Sequence, residues 1–430
     1  MSAPRGLLGL AASAFVVLAA EPLYLLVDTA VVGHLGTVAL GALGVGVALL
    51  GFVVLAGTFV EYGTTSRAAR FFGAGDRQAA INEGVQASWL ALGIGLLVVV
   101  LAEVFAHPLA ALLAGDNAHT RQAAESWFRI AAIGTPGVLL VLAGNGWMRG
   151  VQSTREPVRI VLLANALSAA ASPILVYACH LGLNGSAYAN VGAQAVGSVL
   201  FIRALGRSSP VSSRPEWAVM RKQLVVGRDL ILRSAGFQVA FLSAAGVASR
   251  MGAAQIGAHQ IGLQIWEFIA LLLDSFAIAA QSLVGAALGS EDVGAARRTA
   301  WQVARYGLWA GCAFGAATGV LWELLPAAFT SSASVQHQAH ILWPWLAGMQ
   351  PLAGVVFALD GVLIGAGDVA YLRTLTLVAG VAAFAPINLA ALHWHWGIGG
   401  VWAGLSAFIL VRFVGMILRA RGERWAVVGT

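Results

Sequence analysis

Glu21, Tyr24 and Asp28 stand at i, i+3 and i+7 in the stretch EPLYLLVDTAVVGHLG, inside an apolar run from about Leu7 to Val32. On a helix this spacing lines up a phenol and two carboxyls along one stripe. A carboxylate near the centre of a bilayer-crossing helix costs about 2.5–3.5 kcal/mol on insertion scales, so it is rare, faces protein or water, and marks function by default. The chemistry open to such a group is reversible protonation or cation binding, with Asp28 as the leading candidate and Glu21 and Tyr24 beside it. Pro22 lies within the stripe. Its ring removes a backbone donor and meets the carbonyl of Leu18, so a kink is expected there, and with it a hinge.

The composition demands a membrane. Of 430 residues 59% are hydrophobic and 10% charged, and the mean hydropathy is +0.81, far above the range of soluble domains. The net charge of +6 comes almost entirely from arginine, Lys222 being the one lysine, and its meaning lies in position along the chain, not in nucleic-acid binding. Cys179 and Cys312 are far apart in apolar context and read as small buried hydrophobes. The first segment is too long for a signal peptide, carries Glu21 and Asp28, and has no convincing cleavage site, so a mature first helix is expected.

Segments of spanning length fall at about 7–33, 40–66, 83–107, 122–146, 156–180, 184–206, 224–249, 256–287, 299–324, 338–364, 370–393 and 396–418, twelve in all. Arginines crowd alternate connections: Arg67, Arg70 and Arg77; Arg149, Arg155 and Arg159; Arg203, Arg207, Arg214, Arg221 and Arg228; Arg297 and Arg298; Arg373; and Arg419, Arg421 and Arg424. By the positive-inside rule both termini and the central loop are expected in the cytoplasm.

The chain also repeats. Gly36, Gly41, Gly46, Gly73 and Asp76 recur as Gly252, Gly257, Gly262, Gly289 and Asp292, a constant shift of 216 residues; Pro136, Gly146, Gly150, Gly182 and Gly185 recur as Pro351, Gly361, Gly365, Gly397 and Gly400 at 215. Each half holds six spans, an even number, so the halves share one orientation and are related by an axis along the membrane normal. The expected division is 1–206 as an N-terminal lobe, 207–223 as a Pro/Ser/Arg-rich cytoplasmic linker and 224–430 as a C-terminal lobe.

Further polar groups lie within the spans. The N-terminal half offers Thr58, Glu61, Asn145, Asn165, Asn190 and Gln194 as candidate cavity residues. In the C-terminal half Gln260, Gln264, Glu267, Asp274 and Gln281 share one face of the eighth span, Asp360 lies on the tenth, and Arg233 is a cationic partner for Asp229 at i, i+4 or for these acids. The bland reading of each is a hydrogen-bonded strut between helices. No metalloprotease, nucleotide-binding or hydrolase motif occurs, and the pairs His337/His340 and His393/His395 sit at span ends, so neither an enzyme nor a bound metal or cofactor is expected.

EPLYLLVDTAVVGHLG, GWMRGVQSTREP, IGAHQIGLQIWEF, LLDSFAIAAQSLVG and DGVLIGAGD, in this order and spacing over nearly the whole chain, resemble the multidrug and toxic compound extrusion (MATE) transporters, in particular the branch of bacterial DNA-damage-inducible protein F. The resemblance implies an all-α integral membrane protein of twelve helices, two parallel six-helix repeats forming a V-shaped, two-lobed transporter. It implies a secondary antiporter that exports amphipathic, often cationic, organic compounds in exchange for protons or sodium ions. The family's first-helix acid carries over to Asp28, a tyrosine four residues earlier to Tyr24, and a fifth-helix asparagine to Asn165. Some members have a second carboxylate one turn later on the fifth helix; here Ala169 stands, which disfavours a sodium site of several carboxylates.

The resulting expectation is proton coupling at Asp28, with Glu21 and Tyr24 assisting and Pro22 as hinge, in a monomer of the bacterial inner membrane. Glu267, Asp274 and Asp360 are the alternative site for the coupling ion, and a flippase for a lipid-linked precursor is the alternative function.

Overall fold

The computed structural model describes residues 3–114, 117–208 and 214–429. Among these every regular element is helical. In the first half α1 (Ala3–Gly33), α2 (Thr37–Gly73) and α3 (Arg77–Ala114) precede α4 (Ala118–Ile133) and α5 (Thr135–Gly150). Next come α6 (Arg155–Pro173), which passes into a π-helical turn at Ile174–Ala178, and α7 (Leu183–Ser208). The second half holds α8 (Trp217–Met251), α9 (Ala253–Gly289), α10 (Val293–Val320), the short α11 (Leu324–Phe329) and α12 (Ala333–Gly365). It closes with α13 (Val369–Ala379), a π turn at Gly380–Phe384, α14 (Ala385–His393) and α15 (Gly397–Arg421).

Eight of the described rods are each long and apolar enough to cross a bilayer, and α4 with α5 makes a ninth. With α2, α7 and α10 they complete the twelve rods that hydropathy implies. The fourth segment, expected as one span over 122–146, is a pair of helices bent by 49°. Gly134 joins them and Pro136, lacking an N–H, opens α5, so the hydrogen-bond ladder cannot run through. α1, by contrast, continues through Pro22 as one helix.

The repeat seen in the sequence is carried into structure. α2 and α9 are both 37 residues long and start 216 positions apart. Gly36 and Gly252 precede them with φ of 115° and 137°, values that a side chain disfavours. The aspartates at the equivalent helix starts act alike: Asp76 Oδ1 accepts the amide of Ala79 at 2.9 Å and Asp292 Oδ1 that of Ala295 at 2.7 Å. The repeated glycines hold backbones in contact. A Cβ on Gly146 would sit 2.3 Å from the Glu61 carbonyl on α2, and one on Gly361 2.0 Å from the Ala277 carbonyl on α9.

Contacts divide the chain into two units: Ala12–Gly227, and Arg228–Gly429 with the N-terminal residues up to Ala11. The two breaks, after Ala11 and after Gly227, are themselves 216 residues apart. In the first unit α5 packs on α2, α3 and α7, and α6 on α7. In the second α12 is the hub, packed on α9, α10 and α15.

Residues 209–213 of the expected linker lie outside the described residues. Of the rest of the expected linker, Arg207 and Ser208 close α7 and Trp217 to Gln223 open α8, and the stretch from Arg214 to Gln223 is fastened to α3. Gln86 donates to the Arg214 carbonyl (3.0 Å) and accepts the Glu216 amide (2.7 Å), while Gln223 donates to Glu83 (2.7 Å), which also takes Arg67. The cysteines correct the sequence reading. Both are free and exposed, because on a membrane bundle small apolar residues face outward as readily as inward.

Candidate functional site

The first unit gathers its polar groups around α1. Asp28 is 2% exposed, and its Oδ1 accepts the hydroxyl of Ser172 on α6 at 2.7 Å. Ser186, at the start of α7, lies beside the same carboxyl and takes the indole N–H of Trp127 at 2.8 Å. One turn earlier on α1 the Tyr24 hydroxyl lies beside Ser168 and Asn190. Hydroxyls from α6 and α7 thus meet the buried acid, and a hydroxyl and an amide from the same two helices meet the phenol one turn away. Glu21 and Pro22, nearer the start of the stripe, are exposed.

Beyond Asp28 the helix runs on to Gly33 and ends, and each last-turn carbonyl, which has no partner within the helix, is taken. His34 Nδ1 meets the Ala30 carbonyl at 2.7 Å, Tyr177 donates to Val31, Leu35 N to Val32 at 2.9 Å and Gly36 N to Gly33 at 3.3 Å. Tyr177 belongs to the π turn that follows Pro173. π turns insert an extra residue into a helical ladder and recur at functional sites. Here the turn carries Tyr177 out to the end of α1, so α6 grips α1 through Ser172 and Tyr177 together.

Of the remaining candidates of this half, Glu61, Asn165 and Gln194 have structural neighbours that account for them. Glu61 on α2 and Arg149 on α5, 7% and 5% exposed, form a buried ion pair next to the Gly146 contact. Asn165 donates to the Val161 carbonyl of its own helix at 2.9 Å. Gln194 lies against Gly137, at the crossing of α5 and α7. Asn145 is buried, and its Oδ1 has no hydrogen-bond partner among the described residues.

In the second unit Asp360 on α12 is 3% exposed and is held by two arginines, Arg233 on α8 and Arg412 on α15 at 2.9 Å. Phe237 lies under both guanidiniums, its centroid 4.4 Å from Arg412 and 5.5 Å from Arg233. Asp368, the second aspartate of DGVLIGAGD, takes Arg419 one heptad beyond Arg412 at 2.6 Å. Of the two partnerships the sequence leaves open to Arg233, the one with a buried acid of this half forms, at Asp360, while Asp229 takes Arg373 of α13 at 2.7 Å and its neighbour Arg228 at 2.9 Å. A contact across helices fixes both groups in space, whereas i, i+4 neighbours on a helix surface gain only tenths of a kcal/mol, roughly 0.2–0.5. Asp360, expected to line a cavity open to cations, is therefore already neutralised by the protein. Gln264 and Glu267 on α9 are exposed, Asp274 is half-buried and Gln281 is buried, so the expected polar face does not meet one environment along its length.

Sequence reasoning missed Ser172, Tyr177, Ser186 and Arg412. The first three look like ordinary polar residues of membrane helices. Arg412, in the middle of the last span, carries the same intramembrane-charge signal as Asp28.

A bundle of twelve helical rods built from a duplicated half, with a buried carboxylate on its first span, defines a polytopic membrane carrier. The chain belongs to the MatE family of transporters, whose model matches residues 13–174 and 230–389. It is 30% identical to Protein DETOXIFICATION 44, chloroplastic, of Arabidopsis thaliana over 95% of this chain and 80% of that one. It is also 30% identical to DNA damage-inducible protein F of Escherichia coli (strain K12), over 91% and 86% of the two chains. Among solved structures the Vibrio cholerae MATE transporter VcmN superposes with a TM-score of 0.87, at 17% identity and over 98% and 97% of the two chains, which shows a shared fold. The chain is thus a multi-pass transporter, not an enzyme.

Proposed function

We propose that this protein is a secondary active antiporter that exports amphipathic, cationic organic compounds by alternating access, with the proton as coupling ion. The observation that carries the reading is Asp28: a carboxyl 2% exposed on the first span, hydrogen-bonded to Ser172. When ionised, the group accepts hydroxyl donors and can neutralise a cation. When protonated, it loses its charge and rearranges those bonds. Proton and substrate therefore compete for one acid. A rearrangement at Asp28 is passed along α1 through Pro22, where the backbone has already given up one hydrogen bond. No second carboxylate accompanies Asp28 among the groups named around it, which favours a proton over a sodium ion. Names of relatives support drug export: a Thermotoga maritima relative, 21% identical, is a probable multidrug resistance protein. The arginine-rich connections support cytoplasmic termini, and the setting proposed is the bacterial plasma membrane, with the monomer as the working unit.

The deciding experiment is efflux of a fluorescent cationic dye from proteoliposomes under an imposed proton gradient or an imposed sodium gradient. Proton-driven efflux lost in Asp28→Asn is expected. Efflux that follows sodium, or survives the substitution, would move coupling to Glu267 or Asp274, and no dye movement under either gradient would favour lipid-precursor flipping.

A further inference from the structure

A cavity of about 340 Å³ opens at the arginine-rich end of the first unit, where α2, α5 and α7 end and α3 and α6 begin. Its volume falls within the range of small-molecule sites, roughly 300–1,000 Å³. The cavity has two chemically distinct parts. Ile81, Trp147 and Met148, which are 2%, 5% and 2% exposed and belong to one hydrophobic cluster, form an apolar floor. Arg77, Arg207 and Glu156 stand exposed around it, and none of the three enters an ion pair among the described residues.

The exposed charges and the buried apolar floor together suit an amphipathic ligand.

The charges say which kind. Two guanidiniums beside an apolar floor suit a phosphate diester, since arginine forks match phosphate oxygens. Glu156 would repel a ligand that is only anionic but suits an ammonium. The depth agrees, because these residues lie at the ends of spanning helices, where lipid headgroups sit. We infer that this cavity is a binding site for a phospholipid with a phosphoethanolamine headgroup. Arg77 and Arg207 hold the phosphate and Glu156 the ammonium, with the acyl chains running out over Ile81, Trp147 and Met148.

Native mass spectrometry of the full-length, delipidated protein tests this. The protein is offered phosphatidylethanolamine, phosphatidylglycerol or phosphatidylcholine with identical acyl chains, or inorganic phosphate alone. Wild type should retain phosphatidylethanolamine in preference to the other two lipids, and phosphate should not displace it. Arg77→Gln with Arg207→Gln should lower that retention about tenfold, and Glu156→Gln should abolish the preference for phosphatidylethanolamine over phosphatidylglycerol. These arginines are surface groups, so melting temperatures of the lipid-free variants should match wild type. Equal retention of all three lipids, undiminished binding in the double variant, or displacement of lipid by phosphate would overturn the assignment.

Discussion

Ser172 donates its hydroxyl to Asp28 across 2.7 Å, and both side chains are withdrawn from solvent. The bond joins the first span to the fifth at the one acid of this half, among the described residues, that has neither an arginine partner nor an exposed position. A hydrogen bond to a charged group contributes about 1.5–3 kcal/mol. Ser172→Ala should therefore slow proton-driven efflux roughly tenfold to a hundredfold, whereas Ser172→Thr, which keeps the hydroxyl, should retain most of the rate. An alanine variant with wild-type rates across a pH series would show that the bond plays no part in coupling.

Tyr177 closes the end of the same helix by donating to the Val31 carbonyl. Tyr177→Phe leaves the ring and removes the donor, a loss of about 1 kcal/mol for a partly solvated acceptor. Amide hydrogen exchange at His34, Leu35 and Gly36 should accelerate, with the rest of the chain unchanged. Exchange that is uniform between the two proteins would mean the cap is dispensable.

The Glu61–Arg149 pair is buried on both sides. Removing one member strands the other, which costs about 3–5 kcal/mol, while replacing both with apolar groups of similar size is far less damaging. Arg149→Met should therefore lower the melting temperature in detergent markedly, and Glu61→Leu combined with Arg149→Met should recover a good part of it. Additive losses would contradict a coupled pair.

Asp360 offers the converse arrangement, one carboxylate between two guanidiniums. Asp360→Asn leaves Arg412, 1% exposed, facing Arg233 without a counter-charge, and a loss of about 3–5 kcal/mol is expected. Combining it with Arg412→Leu should restore stability towards wild type. A stable single variant with altered sodium response would instead make Asp360 an ion site.

Steric tests come from the repeated glycines. Gly361→Ala would place a methyl 2.0 Å from the Ala277 carbonyl and Gly146→Ala one 2.3 Å from that of Glu61, whereas nothing lies within 4 Å of a Cβ on Gly192. The first two variants should yield little monodisperse protein and Gly192→Ala a normal amount, by size-exclusion chromatography. Equal yields would mean that the helices can part at no cost.

Legibility in the sequence tracked the physics of each residue. The spans and the duplication could be read because hydropathy and glycine spacing are properties of the chain itself. The reason for that spacing, carbonyl contact between second and fourth spans, needs two helices placed side by side. Asp28 stood out because a charge in an apolar run has no cheap explanation. Ser172 did not, since a serine in a membrane helix has several. Arg149 was hidden by company: with Arg155 and Arg159 nearby it looked like part of a cytoplasmic cluster, yet it is buried against Glu61. The bend at Gly134 was obscured because hydropathy averages over direction, although Pro136 was visible throughout.

The two arginines on Asp360 also bear on electrical balance. Under the proposed mechanism the C-terminal carboxylate is permanently compensated within the protein, so exchange falls to Asp28 and amounts to one proton per cycle. Export of a monovalent cation against one proton moves no net charge and is indifferent to membrane voltage. Export of a neutral compound against the same proton carries one positive charge inward, so its rate should rise with an inside-negative potential. The same chain would then be driven by chemical gradient alone or by gradient and voltage together, depending only on the charge of its cargo.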